Sequence, residues 1–330
     1  MQRILITGGL GFIGSNFILY LLENEPGLHI DNLDKLTYAG NPLNLKHVEG
    51  DARYTLIKGD VADRELVERL LGENHYDAIA HLAAESHVDR AIQSSAPFVL
   101  SNVVGTQVLL DAALKHSVPR FLMVSTDEVY GSLGPAGEFT EQSPLAPNNP
   151  YSATKAAADL FCRAYFVTHK MPVVISRCSN NYGPRQFAEK LIPLFIHKAL
   201  HDEQVPVYGD GLHVRDWLYV EDHCRGLWTV LRKGQPGEVY NIGGGTEMPN
   251  LELVKLLLAK LNKPESLIKH VPDRPGHDRR YALSQDKIQR ELGWEPQVSF
   301  AEGLAQTISW YRENQQWLNA IADGTYQQGY

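Results

Sequence analysis

A glycine-rich turn near the start of the chain constrains the fold most strongly. The turn, Gly8-Gly9-Leu10-Gly11-Phe12-Ile13-Gly14, follows an apolar run and precedes a helical pattern at residues 15–23. Its spaced glycines permit a tight turn, close approach of backbone amides to an anion, and close packing of the following helix. Asp34 stands twenty residues after Gly14, where a carboxylate can accept hydrogen bonds from ribose hydroxyls. The pattern predicts a dinucleotide site on a strand–helix–strand unit.

Short apolar runs alternate with helical patterns throughout the first half of the chain. Runs of this length, rich in Val, Ile and Leu, indicate parallel strands that are buried on both faces. We therefore predict an α/β fold with a doubly wound, Rossmann-type parallel sheet. The predicted strands are residues 3–7, 28–33, 54–58, 78–82, 120–125 and 173–179.

The rhythm changes after about residue 182, where the elements become shorter and richer in Pro, Gly and Trp. We predict a dinucleotide-binding domain over residues 1–182 and a smaller C-terminal substrate lobe over residues 183–330. Part of residues 210–250 is expected to return to the first domain. In the second lobe we expect helices at residues 250–261 and 300–313, and a loose polar tail after residue 322.

Composition narrows the function classes. The formal net charge of −8 disfavours nucleic acid as a partner. Apolar runs such as residues 78–84 are shorter than a membrane span of about 20 residues, and no export signal is recognised, so we expect no membrane partner and a cytoplasmic protein. Cys162, Cys178 and Cys224 are an odd number in apolar segments, which predicts reduced thiols and no disulfide.

The segment Asn149-Pro150-Tyr151-Ser152-Ala153-Thr154-Lys155 is typical of a helix start, with Asn149 as the cap and Pro150 in the first turn. Tyr151 and Lys155 then share one helix face. A nearby ammonium and a positive nicotinamide ring would both lower the pKa of the phenol, which would make it a base for hydride chemistry. Alone, the pair would be interpreted as surface residues, but the glycine-rich turn favours the catalytic interpretation.

Thr126, Asp127 and Glu128 follow the fifth predicted strand, at the sheet edge where doubly wound folds bind ligands. Adjacent acidic residues are commonly a solvated turn. Elimination of water from a 4-keto hexose, however, needs a carboxylate that removes the C5 hydrogen and a neutral acid that protonates the departing C6 hydroxyl. Two carboxyl groups in different environments can supply both forms, so Asp127 and Glu128 are candidates for these roles.

His81, Glu85 and His87 are close in sequence and could suggest a metal. Their spacing fits neither a helical zinc motif nor a tetrahedral ligand set, so we expect no metal. His81 is expected to be packed and hydrogen-bonded at the end of its strand.

Ten motifs, spread over nearly the whole chain, fit a single family pattern. They are Gly8 to Gly14 as written above, Asp34-Lys35-Leu36-Thr37-Tyr38-Ala39-Gly40-Asn41, His81-Leu82-Ala83-Ala84-Glu85-Ser86-His87-Val88-Asp89-Arg90, Ser125-Thr126-Asp127-Glu128-Val129-Tyr130-Gly131, Tyr151-Ser152-Ala153-Thr154-Lys155, Ser179-Asn180-Asn181-Tyr182-Gly183-Pro184, Glu189-Lys190-Leu191-Ile192-Pro193, Arg215-Asp216-Trp217, Asn241-Ile242-Gly243-Gly244 and Asp273-Arg274-Pro275-Gly276-His277-Asp278. With them the chain resembles the dTDP-glucose 4,6-dehydratases, a family of extended short-chain dehydrogenases.

The resemblance implies a hydro-lyase that uses NAD and dehydrates dTDP-glucose to dTDP-4-keto-6-deoxyglucose. It implies that Tyr151 is the base at the 4-hydroxyl, Lys155 its support and Thr126 a hydrogen-bond partner of that hydroxyl. Asp127 would be the acid and Glu128 the base at C5. Related epimerases lack the Asp–Glu pair. A nucleotide-sugar epimerase or decarboxylase and a non-enzymatic dinucleotide sensor remain the alternatives.

The resemblance also implies the remaining site residues and a homodimer formed through residues 97–116 and 151–169. Around NAD, with the glycines, Tyr151 and Lys155, it places Phe12, Ile13, Asp34, Lys35, Leu36, Thr37, Asp60, Val61, Leu82, Ala83, Ala84, Glu85, Ser86, Ser101 and Asn181. Around the substrate it places Ser86, Thr126, Asn180, Lys190, Leu191, Pro206, Val207, Tyr208, Arg215, Asn250, Asp273, Arg274, Pro275, Gly276 and His277. The chemistry of the residue types supports part of this substrate set, because arginines hold diphosphates through paired hydrogen bonds and Tyr208 offers a flat face to a base.

Overall fold

The computed structural model describes residues 1–327, in which strands and helices alternate. The strands are β1 (Arg3–Thr7), β2 (His29–Asp34), β3 (Tyr54–Lys58), β4 (Ala78–His81), β5 (Phe121–Thr126), β6 (Val173–Cys178), β7 (Asn180–Tyr182), β8 (Val205–Tyr208), β9 (Val214–Tyr219), β10 (Val239–Ile242), β11 (Glu247–Pro249) and β12 (Ile268–Val271). The helices are α1 (Phe12–Asn24), α2 (Arg64–Glu73), α3 (Val88–Gln93), α4 (Ala96–Phe98), α5 (Gly105–Lys115), α6 (Pro150–His169), α7 (Leu191–Leu200), α8 (Val220–Lys233), α9 (Asn250–Leu261), α10 (Asp286–Leu292), α11 (Phe300–Glu313) and α12 (Gln315–Ala322).

The main sheet has seven parallel strands in the order β10-β6-β5-β4-β1-β2-β3. The strand order reverses between β1 and β4, and a doubly wound sheet opens its ligand crevice at such a point. The predicted fold class is confirmed, and the six predicted strands agree with β1 to β6 within about one residue at each end. No strand was predicted at the position of the seventh strand, β10, although it lies within residues 210–250, part of which was expected to return to the first domain.

Helices cover both faces of the main sheet. On one face α1 and α8 bury Phe17, Ile18 and Leu227 against the strands. On the other face α2, α5 and α6 bury side chains such as Val67 and Leu109. The sheet is thus buried on both sides, as its apolar strands require.

The smaller lobe is built on a three-stranded sheet, β11-β9-β7, and a parallel pair, β12-β8. Helices α7, α9, α11 and α12 pack around these strands in a separate apolar core. The predicted helices at residues 250–261 and 300–313 coincide with α9 and α11. The start of α11 is fixed by a capping box, in which Ser299 and Glu302 satisfy each other's backbone amides.

The prediction of a loose tail after residue 322 is wrong for residues 323–327. Tyr326 is buried and its hydroxyl donates to the carbonyl oxygen of Tyr38 at 2.5 Å. The amide of Gln327 donates to the carbonyl oxygen of Thr37 at 2.8 Å. An aromatic residue with a docking site orders this segment although its neighbours are polar. Residues 328–330 of the predicted tail lie outside the described residues.

All three cysteines are buried free thiols, as predicted. One helix within residues 1–327, Ala96–Lys115, is long and apolar enough to cross a membrane, a stretch that the sequence interpretation overlooked. It comprises α4, a π-helical segment (Val99–Val104) and α5. Half of its most apolar window is buried inside the fold, as in a core helix of a globular protein.

Candidate active site

The glycine-rich turn joins β1 to α1 and leaves no room for side chains. Gly8 has a φ of +73°, and a Cβ on Gly14 would lie 2.2 Å from the carbonyl oxygen of Gly8. Gly11 caps α1 without a side-chain hydrogen bond. The first amides of α1 are therefore available to an anion at the carboxyl end of β1. This cradle fits the diphosphate of a dinucleotide.

Asp34 ends β2 and is held rigidly. Its two carboxylate oxygens accept hydrogen bonds from the amides of Leu36 at 2.8 Å and Leu10 at 2.9 Å. Burial raises the pKa of Asp34, and the two amides oppose this shift. The neighbouring Lys35 forms an ion pair with Asp60, so the lysine charge is directed at a second carboxylate of the cleft.

One continuous cleft runs from the glycine-rich turn to Tyr151 and Lys155. All the predicted cofactor residues line it except Leu36. Leu36 adopts a φ of +55° and donates its amide to Asp34, so its contact with NAD stays a prediction. The sequence interpretation missed other lining residues, of which only Ala39, Gly40, Ser125, Ser179 and Glu189 belong to quoted motifs. The missed residues are Leu33, Ala39, Gly40, Gly59, Val124, Ser125, Cys178, Ser179, Gln186, Phe187 and Glu189.

Helix α6 begins as predicted at the inner end of this cleft. Asn149 accepts a hydrogen bond from the amide of Ser152 at 2.9 Å, and Pro150 occupies the first helical position. Tyr151 and Lys155 are both buried on this helix. The Lys155 ammonium donates to the carbonyl oxygen of Val124 at 2.7 Å, which ties α6 to β5.

The expected low pKa of Tyr151 is not found in the protein alone. Burial raises the pKa of this phenol well above 10.0, and the negative charges of Glu128 and Asp127 raise it further. A hydrogen bond with Thr126 acts in the opposite direction. Burial likewise lowers the pKa of the Lys155 ammonium. The expectation counted on two positive charges, whereas burial and two acidic neighbours dominate here.

Asp127 and Glu128 form a short 3₁₀ turn directly after β5. The hydroxyl of Thr126 donates to Asp127 Oδ1 at 3.2 Å and accepts from the amide of Glu128 at 3.3 Å. Asp127 Oδ2 is buried and has no hydrogen-bond partner among residues 1–327. Thr126 thus fixes both acidic residues at the cleft.

The two carboxyl groups have different electrostatic surroundings. Burial raises the pKa of Asp127 well above 3.8, and Glu128 and Asp216 raise it further. Burial also raises the pKa of Glu128, but three cations oppose this shift: Lys190, Arg274 and Arg215. Asp127 is therefore the better proton donor and Glu128 the better proton acceptor.

A second cavity adjoins the cleft, and Glu128, Asn180 and Lys190 line both. Two predicted substrate residues, Ser86 and Thr126, line the cleft instead. The predicted residues that line the second cavity are Asn180, Lys190, Leu191, Pro206, Val207, Tyr208, Arg215, Asn250, Arg274 and His277. Those that it does not include are Asp273, Pro275 and Gly276. The missed lining residues include His87, Asp89, Gln186, Glu189, Phe195 and Trp217.

The three residues outside the cavity wall shape its loop. Asp273 accepts hydrogen bonds from the amide of Arg274 at 2.9 Å and from His277 Nδ1 at 2.6 Å. Gly276 has a φ of +66°, which suits glycine. Asp273 and Gly276 thus help to present Arg274 and His277 to the cavity, and the contact of Asp273, Pro275 and Gly276 with substrate stays a prediction.

Cations gather where the second cavity meets the cleft. Arg215 is buried, donates to the carbonyl oxygens of Val214 and Asp278, and lies 4.5 Å from the ring centroid of Tyr281. The Lys190 ammonium donates to the carbonyl oxygen of Ser86 at 3.2 Å. With Arg274, these groups make a positive wall that suits a diphosphate.

Histidines lie in two places that could suggest a metal. His81 is buried between the hydroxyls of Thr7 at 2.7 Å and Thr106 at 3.0 Å, which confirms its predicted packing role. Elsewhere in residues 1–327, His213, Asp273 and His277 bring their ligand atoms within 4.8 Å of one another. The two imidazoles are stacked at 3.7 Å with an angle of 16° between them, so their ring lone pairs do not converge on one ion.

Comparisons with known proteins agree with this geometry. The sequence model of the GDP-mannose 4,6 dehydratase family matches residues 5–307. A dTDP-glucose 4,6-dehydratase of an Actinoplanes species is 54% identical over 96% of this chain and 99% of its own. The low-salt glycan biosynthesis protein Agl12 of Haloferax volcanii is 53% identical over 93% of this chain and 98% of its own.

Solved structures point to the same family. The dTDP-glucose 4,6-dehydratase DesIV of Streptomyces venezuelae, with NAD and TYD bound, has a TM-score of 0.94 and 51% identity over 97% of this chain and 99% of its own. The Bacillus anthracis enzyme in complex with NAD has a TM-score of 0.92 and 46% identity over 97% and 100%. A Thermotoga maritima UDP-glucose 4-epimerase is less similar, at 30% identity. This chain belongs to the dTDP-glucose 4,6-dehydratase family.

Proposed function

We propose that this chain is an NAD-dependent hydro-lyase that converts dTDP-glucose to dTDP-4-keto-6-deoxyglucose. The observation that carries the proposal is the pair Asp127 and Glu128, two carboxyl groups in unequal electrostatic surroundings beside Tyr151. An epimerase has no use for this pair, and a dinucleotide sensor has no use for any of the three. Relatives that share about half of the sequence carry the same enzyme name.

Bound NAD supplies a hydride acceptor for C4 of the hexose and a hydride donor for C6. The protein moves the protons. In the proposed mechanism Tyr151 starts as the phenolate, which the Lys155 ammonium and the positive nicotinamide ring of bound NAD would favour against the effect of burial. The phenolate accepts the proton of the 4-hydroxyl, whose oxygen is also bonded by Thr126. Glu128 then removes the C5 proton. The C6–oxygen bond breaks, and the hydroxyl leaves with the proton of Asp127 as water.

The cycle closes with proton transfers to the product and to the enzyme. Glu128 returns its proton to C5 when C6 receives the hydride. The proton held by Tyr151 restores Asp127 through solvent. The sugar has then lost one water, while the 4-ketone remains and every protein group has its starting charge.

The positive wall is proposed to hold the nucleotide. Arg215, Arg274 and Lys190 bind the diphosphate, and Tyr208 stacks against the base. The first lobe (residues 1–182) binds NAD and the second (residues 183–330) binds the nucleotide, with α8 and β10 packed on the first. Asp34 favours NAD over NADP because its carboxylate repels a 2′-phosphate.

A homodimer in the cytoplasm is also proposed. Support for the dimer comes from exposed apolar side chains on the Val99–Val104 segment and on α6, which pack against each other. Six residues form this apolar surface: Val99, Leu100, Val104, Leu160, Phe161 and Val167. Three buried free thiols suit a reducing compartment.

The direct test is turnover. Purified protein with NAD is mixed with dTDP-glucose, and the near-ultraviolet absorbance of a 4-keto sugar is read after addition of alkali. We expect a signal with dTDP-glucose and no net consumption of NAD. A signal with UDP-glucose alone would reassign the substrate, interconversion of C4 epimers without a ketone would indicate an epimerase, and dinucleotide binding without any turnover would indicate a sensor.

A further inference from the structure

Arg177 is a buried arginine of β6 that lines neither cavity. Its Nε donates to Asp159 Oδ2 at 2.9 Å and its Nη1 donates to the hydroxyl of Tyr130 at 2.8 Å. The guanidinium also lies 4.7 Å from the centroid of the Tyr130 ring. Burial alone would lower the pKa of Arg177, but Asp159 and Tyr130 more than offset this effect. A buried guanidinium with two separate partners fixes the distance between them.

The first partner belongs to the hydride half of the site. Asp159 lies on α6, four residues after Lys155 and eight after Tyr151, so the three side chains share one helix face. The Asp159 carboxylate raises the pKa of Lys155 and so opposes the lowering caused by burial. By holding Asp159 in place, Arg177 favours the protonated form of Lys155.

The second partner belongs to the elimination half. Tyr130 ends the 3₁₀ turn that begins with Asp127 and Glu128. Its hydroxyl accepts from Arg177 and donates to Asn241 Oδ1 at 2.8 Å, and its ring stacks on Phe139 at 4.9 Å. The turn that carries the acid and the base is thereby tied to β6 and β10.

We infer that Arg177 is a positioning residue that keeps the hydride step and the elimination step in register. The inference rests on the proposed function. Its side chain joins α6, which carries Tyr151 and Lys155, to the turn that carries Asp127 and Glu128. With this connection intact, the sugar that has lost its C4 hydride meets a base and an acid already in place.

The connection can be cut on either side. Tyr130→Phe removes only the hydroxyl on the elimination side, and Asp159→Asn removes the charge on the hydride side. Arg177→Lys keeps a cation for Asp159 but loses the fork that serves both partners. Arg120→Lys is the matched control, because Arg120 is a partly buried arginine that donates to the carbonyl oxygens of Leu231 and Val230 at the other end of β5.

The readout separates positioning from stability. During turnover of dTDP-glucose, reduced cofactor is followed at 340 nm, together with kcat, KM and Tm. For Arg177→Lys and Tyr130→Phe we expect kcat to fall roughly 10- to 100-fold with KM within about threefold, because small misplacements of catalytic groups are costly. Reduced cofactor accumulates in both, since elimination becomes the slow step. In Asp159→Asn it forms slowly and does not accumulate.

Arg120→Lys is expected to lower Tm while kcat stays within about threefold and no reduced cofactor accumulates. The inference is overturned if the loss of activity in Arg177→Lys and Tyr130→Phe is explained by a lower Tm and no reduced cofactor accumulates in either variant. If Arg177→Lys does not fold, Tyr130→Phe alone decides. Failure of the wild-type protein to turn over dTDP-glucose would instead overturn the proposed function.

Discussion

At the scale of single residues, the site depends on two neighbouring carboxyl groups with different surroundings. Glu128 faces Lys190, Arg274 and Arg215, whereas Asp127 is buried with one oxygen unpartnered among the described residues. Because the two residues are adjacent in sequence, one would expect their carboxyl groups to have equivalent surroundings. The three cations, which come from distant parts of the chain, make them different.

Replacing Glu128 with glutamine should separate the two halves of the reaction. The amide cannot accept the C5 proton, so product formation should fall roughly 10²- to 10⁴-fold while reduced cofactor still forms in a single turnover. Stopped-flow absorbance at 340 nm and product assay check this. Glu138→Gln, at an exposed glutamate, is the control. Product at the native rate from Glu128→Gln would remove Glu128 from the role of base.

The protonation of Asp127 should be visible in stability. Because its pKa is raised in the folded state, that state binds more protons than the unfolded chain above pH 3.8, and stability falls as pH rises toward the raised pKa. Asp127→Asn removes this loss, so its gain in Tm over wild type should be larger at pH 8 than at pH 4, by roughly 2 °C or more.

Calorimetry at the two pH values checks the prediction, with Glu138→Gln again as the control. Activity of Asp127→Asn should fall about 10²-fold or more, since an amide is a poor acid. An equal gain in Tm at both pH values would mean that Asp127 has an ordinary pKa in the folded protein.

At the scale of elements, the end of the chain reaches the cofactor cleft. The 3₁₀ turn Thr325–Gln327 bonds to the carbonyl oxygens of Tyr38 and Thr37, in the loop after β2 that lines the cleft. The ring of Tyr326 also lies against Phe187 at 5.8 Å. The segment therefore braces one wall of the cleft from outside.

Removal of the Tyr326 hydroxyl should weaken NAD binding. A hydrogen bond of this kind is worth about 0.5–1.5 kcal/mol, so Tyr326→Phe should raise the Kd for NAD roughly two- to tenfold in calorimetric titrations. Tyr76→Phe is the matched control, because its hydroxyl bonds to Asp31 away from the cleft. Equal Kd values for the two variants would show that the terminal turn does not support the cleft.

The sequence predicts those elements whose determining residues lie close together in the chain. The glycine-rich turn, the Asn149 cap and the six predicted strands each carry their signal within a few residues. Strand β10 is as short as β4, but its place in the main sheet comes from pairing with β6, which lies far away in sequence. The terminal turn was missed for the same reason, because Tyr326 is ordered by partners that lie far away in sequence.

The candidate site likewise has features that local sequence predicts and features that depend on distant residues. Most cleft residues lie in the motifs, but six lining residues that were not predicted lie outside all of them: Leu33, Gly59, Val124, Cys178, Gln186 and Phe187. The pKa of Tyr151 could not be predicted, because it depends on burial and on Asp127 and Glu128, which reach it through folding. A loop motif does not tell which side chains face the cavity, so the sequence could not show that Asp273 lies outside the cavity wall.

At the scale of the whole molecule, the two lobes share one reaction space. Tyr151 and Asp127 come from the first lobe, whereas Lys190, Arg215 and Arg274 come from the second. The cations that oppose the rise in the pKa of Glu128 therefore belong to the lobe that is proposed to bind the nucleotide. Binding and catalysis are coupled through this shared wall.

The apolar surface on the Val99–Val104 segment and α6 should decide the oligomeric state. Leu160 is the most exposed of its apolar residues, at 56%, and exposed apolar surface of this kind is typical of an interface. A lysine there places a charge in the contact, so Leu160→Lys should elute as a monomer in light-scattering chromatography where wild type is a dimer. Leu212→Lys changes a leucine that is 49% exposed in the other lobe and should remain dimeric. A wild-type monomer would refute the proposed interface.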